Sequence, residues 1–172
     1  MKGCSILNTV TFSGDPVTLL GTEVLVGNQA PNFTVTANNL EEKTLDDYRG
    51  KIKLISVVPS LDTGVCAKQT QRFNEEAEKL DNVQVITVSM DLPFAQTRWM
   101  NEHNVKNLEI VSDHREGSFG KKYGALIKEL RLLTRSIFVV NSNDEVVYVE
   151  YVPEVTDHPN YEAALEAANK AK

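Results

Sequence analysis

Residues 51–58 (KIKLISVV) and 83–90 (VQVITVSM) are two near-continuous apolar runs of strand length, and residues 65–80 between them carry Phe73, Ala77 and Leu80 at helical spacing. Strands without a polar face need cover on both sides. The pattern therefore predicts a βαβ unit, with a buried parallel pair and a right-handed crossover. Such a unit delivers the stretch Pro59-Ser60-Leu61-Asp62-Thr63-Gly64-Val65-Cys66 to the junction of strand and helix. Backbone N–H groups at a helix start lack intrahelical partners and carry partial positive charge, so an anion placed there, a thiolate included, is stabilised.

Weaker signals flank the unit. Residues 10–12 and 17–20, joined by Ser13-Gly14-Asp15-Pro16, read as an N-terminal hairpin, residues 33–36 as an extended piece and residues 44–48 as a helical turn. Pro93 starts a helix running to about His103, since proline loses nothing at a first helical position. A short strand over 108–111, a helix over 118–123, a hairpin of 136–140 with 146–152 around Asn141-Ser142-Asn143-Asp144, and a helix over 161–171 complete the order. This α/β order is that of a thioredoxin-like sheet with an extra hairpin in front. Residues 1–9 carry no periodic pattern and are expected as a flexible leader to one domain over residues 10–172.

Charge and cysteine usage narrow the class. A net charge of −6 with scattered lysine and arginine argues against nucleic acid or anionic membrane as the main partner. No run of apolar residues is long enough for a transmembrane helix or a signal peptide. Cysteine occurs twice, as Cys4 and Cys66, and that sparse usage fits a reducing compartment, with a cytoplasmic location expected.

Position alone does not make Cys66 reactive, because free cysteine is also among the most buried residue types. Its neighbours argue for a site: Pro59 can fix the loop, and Thr63 places a hydroxyl three residues before the sulfur. Thiolate formation would not suffice. For a cysteine in general, lowering the pKa by about three units raises the thiolate fraction about 30-fold but costs roughly 20-fold in nucleophilicity. Rate must then come from donors that stabilise charge developing on the substrate.

Other chemistries fit less well. Cys66 and Arg72 match a cysteine-phosphatase spacing, but the intervening Ala67-Lys68-Gln69-Thr70-Gln71 has no glycine to wrap around an anion and reads as helix. There is no C-x-x-C and no Gly-rich nucleotide loop, and His103, His114 and His158 do not fall at metal-ligand spacings. Asp113-His114 as the orienting pair of a cysteine hydrolase has no further support.

The run from Pro59 to Cys66 is similar to the P-x-x-x-T-x-x-C signature of the peroxiredoxins. With Asp91-Leu92-Pro93-Phe94-Ala95-Gln96 and Ser112-Asp113-His114-Arg115, residues 9–170 resemble the thiol peroxidase subfamily in particular. The resemblance implies a peroxiredoxin fold without metal or organic cofactor, and a homodimer. It makes Cys66 the peroxidatic nucleophile that becomes sulfenic acid, Thr63 a hydrogen-bonding partner of thiolate and peroxide, and Pro59 a shield of the pocket. It makes Arg135, in Leu132-Leu133-Thr134-Arg135-Ser136-Ile137-Phe138, the arginine that activates sulfur and substrate. The implied substrates are alkyl hydroperoxides and hydrogen peroxide, and the implied reductant is thioredoxin or another thiol.

One departure matters. Most members of the subfamily carry a resolving cysteine after an Arg-aromatic pair, and this chain reads Arg98-Trp99-Met100. A thioether cannot form a disulfide. Direct reduction of Cys66 by an external thiol is the expected route; resolution by Cys4 and absence of recycling are the alternatives. A non-enzymatic redox relay through Cys66 is the competing functional class.

Overall fold

The apolar runs form the centre of the molecule. The computed structural model describes residues 10–171; the leader expected over residues 1–9, with Cys4, lies outside them. In chain order the strands are β1 Val10–Phe12, β2 Asp15–Val17, β3 Leu19–Leu20, β4 Thr34–Thr36, β5 Glu42–Thr44, β6 Ile52–Val57, β7 Val83–Ser89, β8 Glu109–Ser112, β9 Leu126–Ile127, β10 Leu132–Leu133, β11 Ser136–Val140 and β12 Val146–Tyr151. The helices are α1 Gly64–Ala77, α2 Pro93–His103, α3 Ser118–Lys122 and α4 Tyr161–Lys170, with a 3-10 turn at Leu45–Tyr48.

Seven strands pair in the order β12-β11-β6-β7-β8-β4-β5. The middle three run parallel, and the outer ones are added antiparallel. Side-chain alternation sorts the two faces. Ile52, Leu54 and Val58 pack with Cys66, Phe73, Trp99, Ala164 and Ala168, the side covered by α1, α2 and α4. Ile55 and Val57 face Phe33, Phe119, Tyr123 and Phe138 on the other side. Lys53 is the one cation in this apolar strand, and its buried Nζ meets Asp144 at 2.5 Å, in the turn that joins β11 to β12. The same alternation places Ile137 and Val139 of β11 on the α1 side. Two residues before Ile137, Arg135 shares that side.

The short elements depart from the sequence-based expectation. The hairpin turns at Ser13 and Gly14, both with positive φ (52° and 87°), so Asp15 and Pro16 belong to β2 rather than to the turn. Proline is tolerated there because β2 is an outer strand of the ribbon and Thr11, opposite Pro16, turns its N–H to the Pro153 carbonyl instead. Leu19 and Leu20 leave the ribbon and pair with β9, which pairs with β10. Two-residue strands hold too few positions for a period to be read, and β5 has no apolar alternation. Helix α1 starts one residue earlier than its periodicity suggests and ends at Ala77, after which Leu80 N–H closes a tighter turn on the Ala77 carbonyl at 3.2 Å.

The end of β3 passes close to α3. Gly21 has φ +102°, and a Cβ there would stand 2.0 Å from the Lys121 carbonyl oxygen. Gly21→Ala is therefore expected to destabilise the fold by about 2 kcal/mol or more, a loss visible in a urea titration.

Candidate active site

Thr63, in extended conformation (φ −108°, ψ 151°), precedes the first helical residue of α1, so Cys66 is the third residue of the helix. Its sulfur lies in the first turn, where backbone N–H groups are free. Cys66 is 0% exposed. The donor that reaches the sulfur is Arg135, whose Nη2 stands 3.2 Å from Sγ. Sixty-nine residues separate the two in sequence. They meet because β11 lies beside β6 and both present this face to α1.

The guanidinium is held on all sides. Nε donates to the Val155 carbonyl at 2.7 Å and Nη1 to Gln69 Oε1 at 2.8 Å. Gln69 is itself fixed, since its Nε2 donates to Ser56 Oγ at 2.7 Å. Arg135 is only 2% exposed, and none of these partners is a carboxylate. A buried guanidinium is costly unless it is hydrogen-bonded and its charge is met. Of its partners, Cys66 is the one that can carry an opposite charge.

Pro59 is buried between the end of β6 and the start of α1. Thr63 is exposed, and its hydroxyl donates to the Ser60 carbonyl at 3.1 Å. In this state its proton is directed at the backbone rather than at the sulfur. Met100 is half-buried on α2, in the apolar layer that also contains Cys66 and Trp99. Cys4 lies outside the described residues.

The loop before Cys66 is clamped. Asp91 accepts from Ser60 Oγ at 2.7 Å and from Leu61 N–H at 2.8 Å, while Ser89 Oγ donates to the same carboxylate at 2.8 Å. Gln96 Nε2 donates to Ser89 Oγ at 3.0 Å, and Ser112 Oγ donates to the Asp91 carbonyl. With the Ser112 proton used in that way, His114 Nδ1, 2.9 Å from the same oxygen, is the donor of that pair.

Gln69 and Ser56 were not singled out from the sequence, and Asp91 entered only as part of a motif, without a role. Gln69 had a usable signal: it lies three residues after Cys66, on the helix face that also buries Thr70 and Phe73. Asp113 does not orient a cysteine base. Its carboxylate accepts from the N–H groups of Phe119 and Gly120, at 2.9 and 2.8 Å, at the start of α3. Arg72 meets Glu162 at 3.2 Å and lies over the Tyr161 ring, 5.2 Å from its centre, and forms no phosphate cradle. Among the described residues no group of His, Cys, Asp and Glu is arranged to hold a metal ion.

The geometry can be set beside known proteins. Residues 25–165 match the Redoxin family. A thiol peroxidase of Oceanobacillus iheyensis is 59% identical over 164 residues, covering 95% of this chain and all of that one. One of Halalkalibacterium halodurans is 62% identical, covering 95% and 98%. The chain belongs to the thiol peroxidases of the Redoxin family. A thiol peroxidase of Bacillus subtilis, 60% identical over 92% of this chain and 95% of its own, agrees. Among solved structures, a peroxiredoxin-like protein from Aquifex aeolicus superposes with a TM-score of 0.90 at 39% identity, covering 96% of this chain and 98% of that one. A thiol peroxidase from Chromobacterium violaceum shares the fold, with a TM-score of 0.84 at 20% identity over 92% and 93% of the two chains. The peroxiredoxin fold expected from the sequence is thus the one observed.

Two outcomes follow for this peroxidase. Arg135→Lys replaces a three-way fork by a single ammonium that cannot bond Val155, Gln69 and sulfur together, and is expected to slow hydroperoxide consumption at least about 100-fold in stopped-flow assays. The second concerns Asp113. Burial pushes its carboxyl up to about 6, although the Gly120 and Phe119 N–H groups pull it down. Its unfolded value is about 3.9, so the folded chain holds an extra proton between these values. That contribution to stability is full below the unfolded value and is lost as the pH rises through about 6. Wild type should therefore lose more stability than Asp113→Asn between about pH 4 and pH 7 in parallel urea titrations.

Proposed function

We propose that this thiol-dependent peroxidase works through Cys66 with Arg135 as its electrostatic partner, a reading carried by the 3.2 Å contact of Nη2 with Sγ inside a buried network. The Cys66 thiolate attacks the terminal oxygen of a hydroperoxide. The S–O bond forms as the O–O bond breaks, sulfur is oxidised to sulfenic acid, and the alkoxide or hydroxide leaves and takes a proton. Arg135 faces the charge on the sulfur before attack and the charge passing to the leaving oxygen during it. Thr63 is assigned to the peroxide, to which its hydroxyl turns from the Ser60 carbonyl, and Pro59 to excluding water.

Recycling runs through an external thiol. The sulfenic acid and one thiol give a mixed disulfide and water, and a second thiol releases the Cys66 thiolate with a new disulfide. Met100 at the expected resolving position favours this route. Thioredoxin or a small thiol is the reductant, and alkyl hydroperoxides and hydrogen peroxide are the substrates. A cytoplasmic homodimer is the proposed form. Sparse cysteine supports the compartment, and exposed Leu92 and Phe94 at the start of α2, the latter 68% exposed, offer an apolar surface to a second copy. Among the described residues no helix is long and apolar enough to cross a membrane.

Catalytic turnover separates this reading from a redox relay. With thioredoxin, its reductase and cumene hydroperoxide, many equivalents of peroxide should be consumed per chain, and Cys66→Ser should consume none. Consumption that stops at one equivalent would sink the enzyme reading. Mass spectrometry after peroxide treatment should find sulfenic or sulfinic acid at Cys66; a Cys4–Cys66 disulfide would overturn direct reduction.

A further inference from the structure

Arg135 is aimed by a carbonyl that lies in no regular element. Val155, which accepts from Nε at 2.7 Å, follows β12 in an irregular segment. A peptide carbonyl can orient a guanidinium only as firmly as its own backbone is held. The N-terminal hairpin holds it: Thr11 N–H donates to the Pro153 carbonyl at 2.9 Å, and Val155 N–H donates to the Thr11 carbonyl at 2.8 Å. Beneath them Val10, Ile127 and Val155 are buried together.

Glu154, between those two hydrogen bonds, closes the arrangement. Its Oε1 accepts from Gly14 N–H at 2.7 Å and Thr11 Oγ1 at 3.0 Å. Its Oε2 accepts from Ser13 N–H at 3.2 Å and, on its own strand side, from Thr156 N–H at 2.8 Å and Thr156 Oγ1 at 2.6 Å. One carboxylate thus gathers donors from the hairpin turn and from the residue after Val155. The Thr156 side chain and the other donors hold it well below the usual carboxylate range, at about 2.

We propose that Glu154 is a positioning residue for the peroxidase reaction: by fastening the hairpin to the segment around Val155, it holds the carbonyl that aims Arg135 at Cys66. The inference rests on the roles assigned to Arg135 and Cys66 above. It gives the hairpin, an addition to the thioredoxin-like core, a task in the chemistry without a group in contact with substrate.

Glu129 supplies the control. Both of its carboxylate oxygens accept from Thr18 N–H, at 3.0 and 2.9 Å, anchoring the far end of the same hairpin. Glu154→Gln is expected to lower the rate of hydroperoxide attack about 10-fold, while reduction of the Cys66 sulfenic acid by dithiothreitol and attack by Glu129→Gln stay within about twofold of wild type. In an Arg135→Lys background, which lacks Nε, Glu154→Gln should cost nothing further. Thr156→Val, which removes one donor, should show a smaller loss of the same kind and serves if Glu154→Gln does not fold. Equal losses in Glu154→Gln and Glu129→Gln, an unchanged rate of attack, or additive losses with Arg135→Lys would overturn the proposal. An unchanged rate in Arg135→Lys alone would instead overturn the role of Arg135.

Discussion

A guanidinium taken out of water sets the terms for this molecule. Arg135 is buried with a carbonyl, an amide oxygen and a sulfur around it. Desolvation of such a cation costs several kcal/mol, and neutral acceptors recover only part of it. The sulfur of Cys66 completes the set of acceptors, so the burial of Arg135 and the placement of Cys66 depend on each other. The polar residues of this layer serve the same end: Ser56 holds Gln69, and Gln69 holds the arginine. In the proposed reaction this rigid donor fork supplies charge stabilisation that persists as the bond to oxygen forms.

The central unit was legible because its apolar pattern is sustained over many positions. Residues 51–58 and 83–90 are apolar on both faces, and the parallel pair followed. The position of Cys66 at a helix start came from the same pattern. Arg135 came from resemblance, yet alternation supports it, since two steps from Ile137 returns to the α1 face. Gln69 and Glu154 were missed for different reasons. Gln69 is a polar residue on a buried helix face, which periodicity reads as a flaw in the stripe. Glu154 looks like any surface carboxylate, and its partners in the hairpin lie about 140 residues away. The two-residue strands β9 and β10 were missed, and Leu19–Leu20 of β3 was given to the hairpin, because tertiary pairing, rather than any local preference, makes these strands.

The two motifs that marked the subfamily converge on one place. Asp91 and Gln96 come from the first, Ser112 and His114 from the second, and all join the network that clamps Ser60 and Leu61. Their signature is thus partly architectural: it fixes the path of the chain into α1 rather than contributing groups to the sulfur. Asp113, in the second motif, does similar work at α3, where it binds two backbone N–H groups and bears a raised pKa as the cost of burial.

With Cys66 at 0% exposure, a sphere the size of water does not touch the sulfur in this state. In the proposed reaction both partners therefore wait on motion, but not to the same extent. The terminal oxygen of a hydroperoxide is about as large as water and needs the smaller opening. A thiol must bring a larger atom, with its carbon chain behind it, to bonding distance of Sγ, and so needs a wider opening beside a loop that Asp91 holds at Ser60 and Leu61. In the proposed cycle, then, oxidation and recovery ask for openings of two different sizes at one buried sulfur.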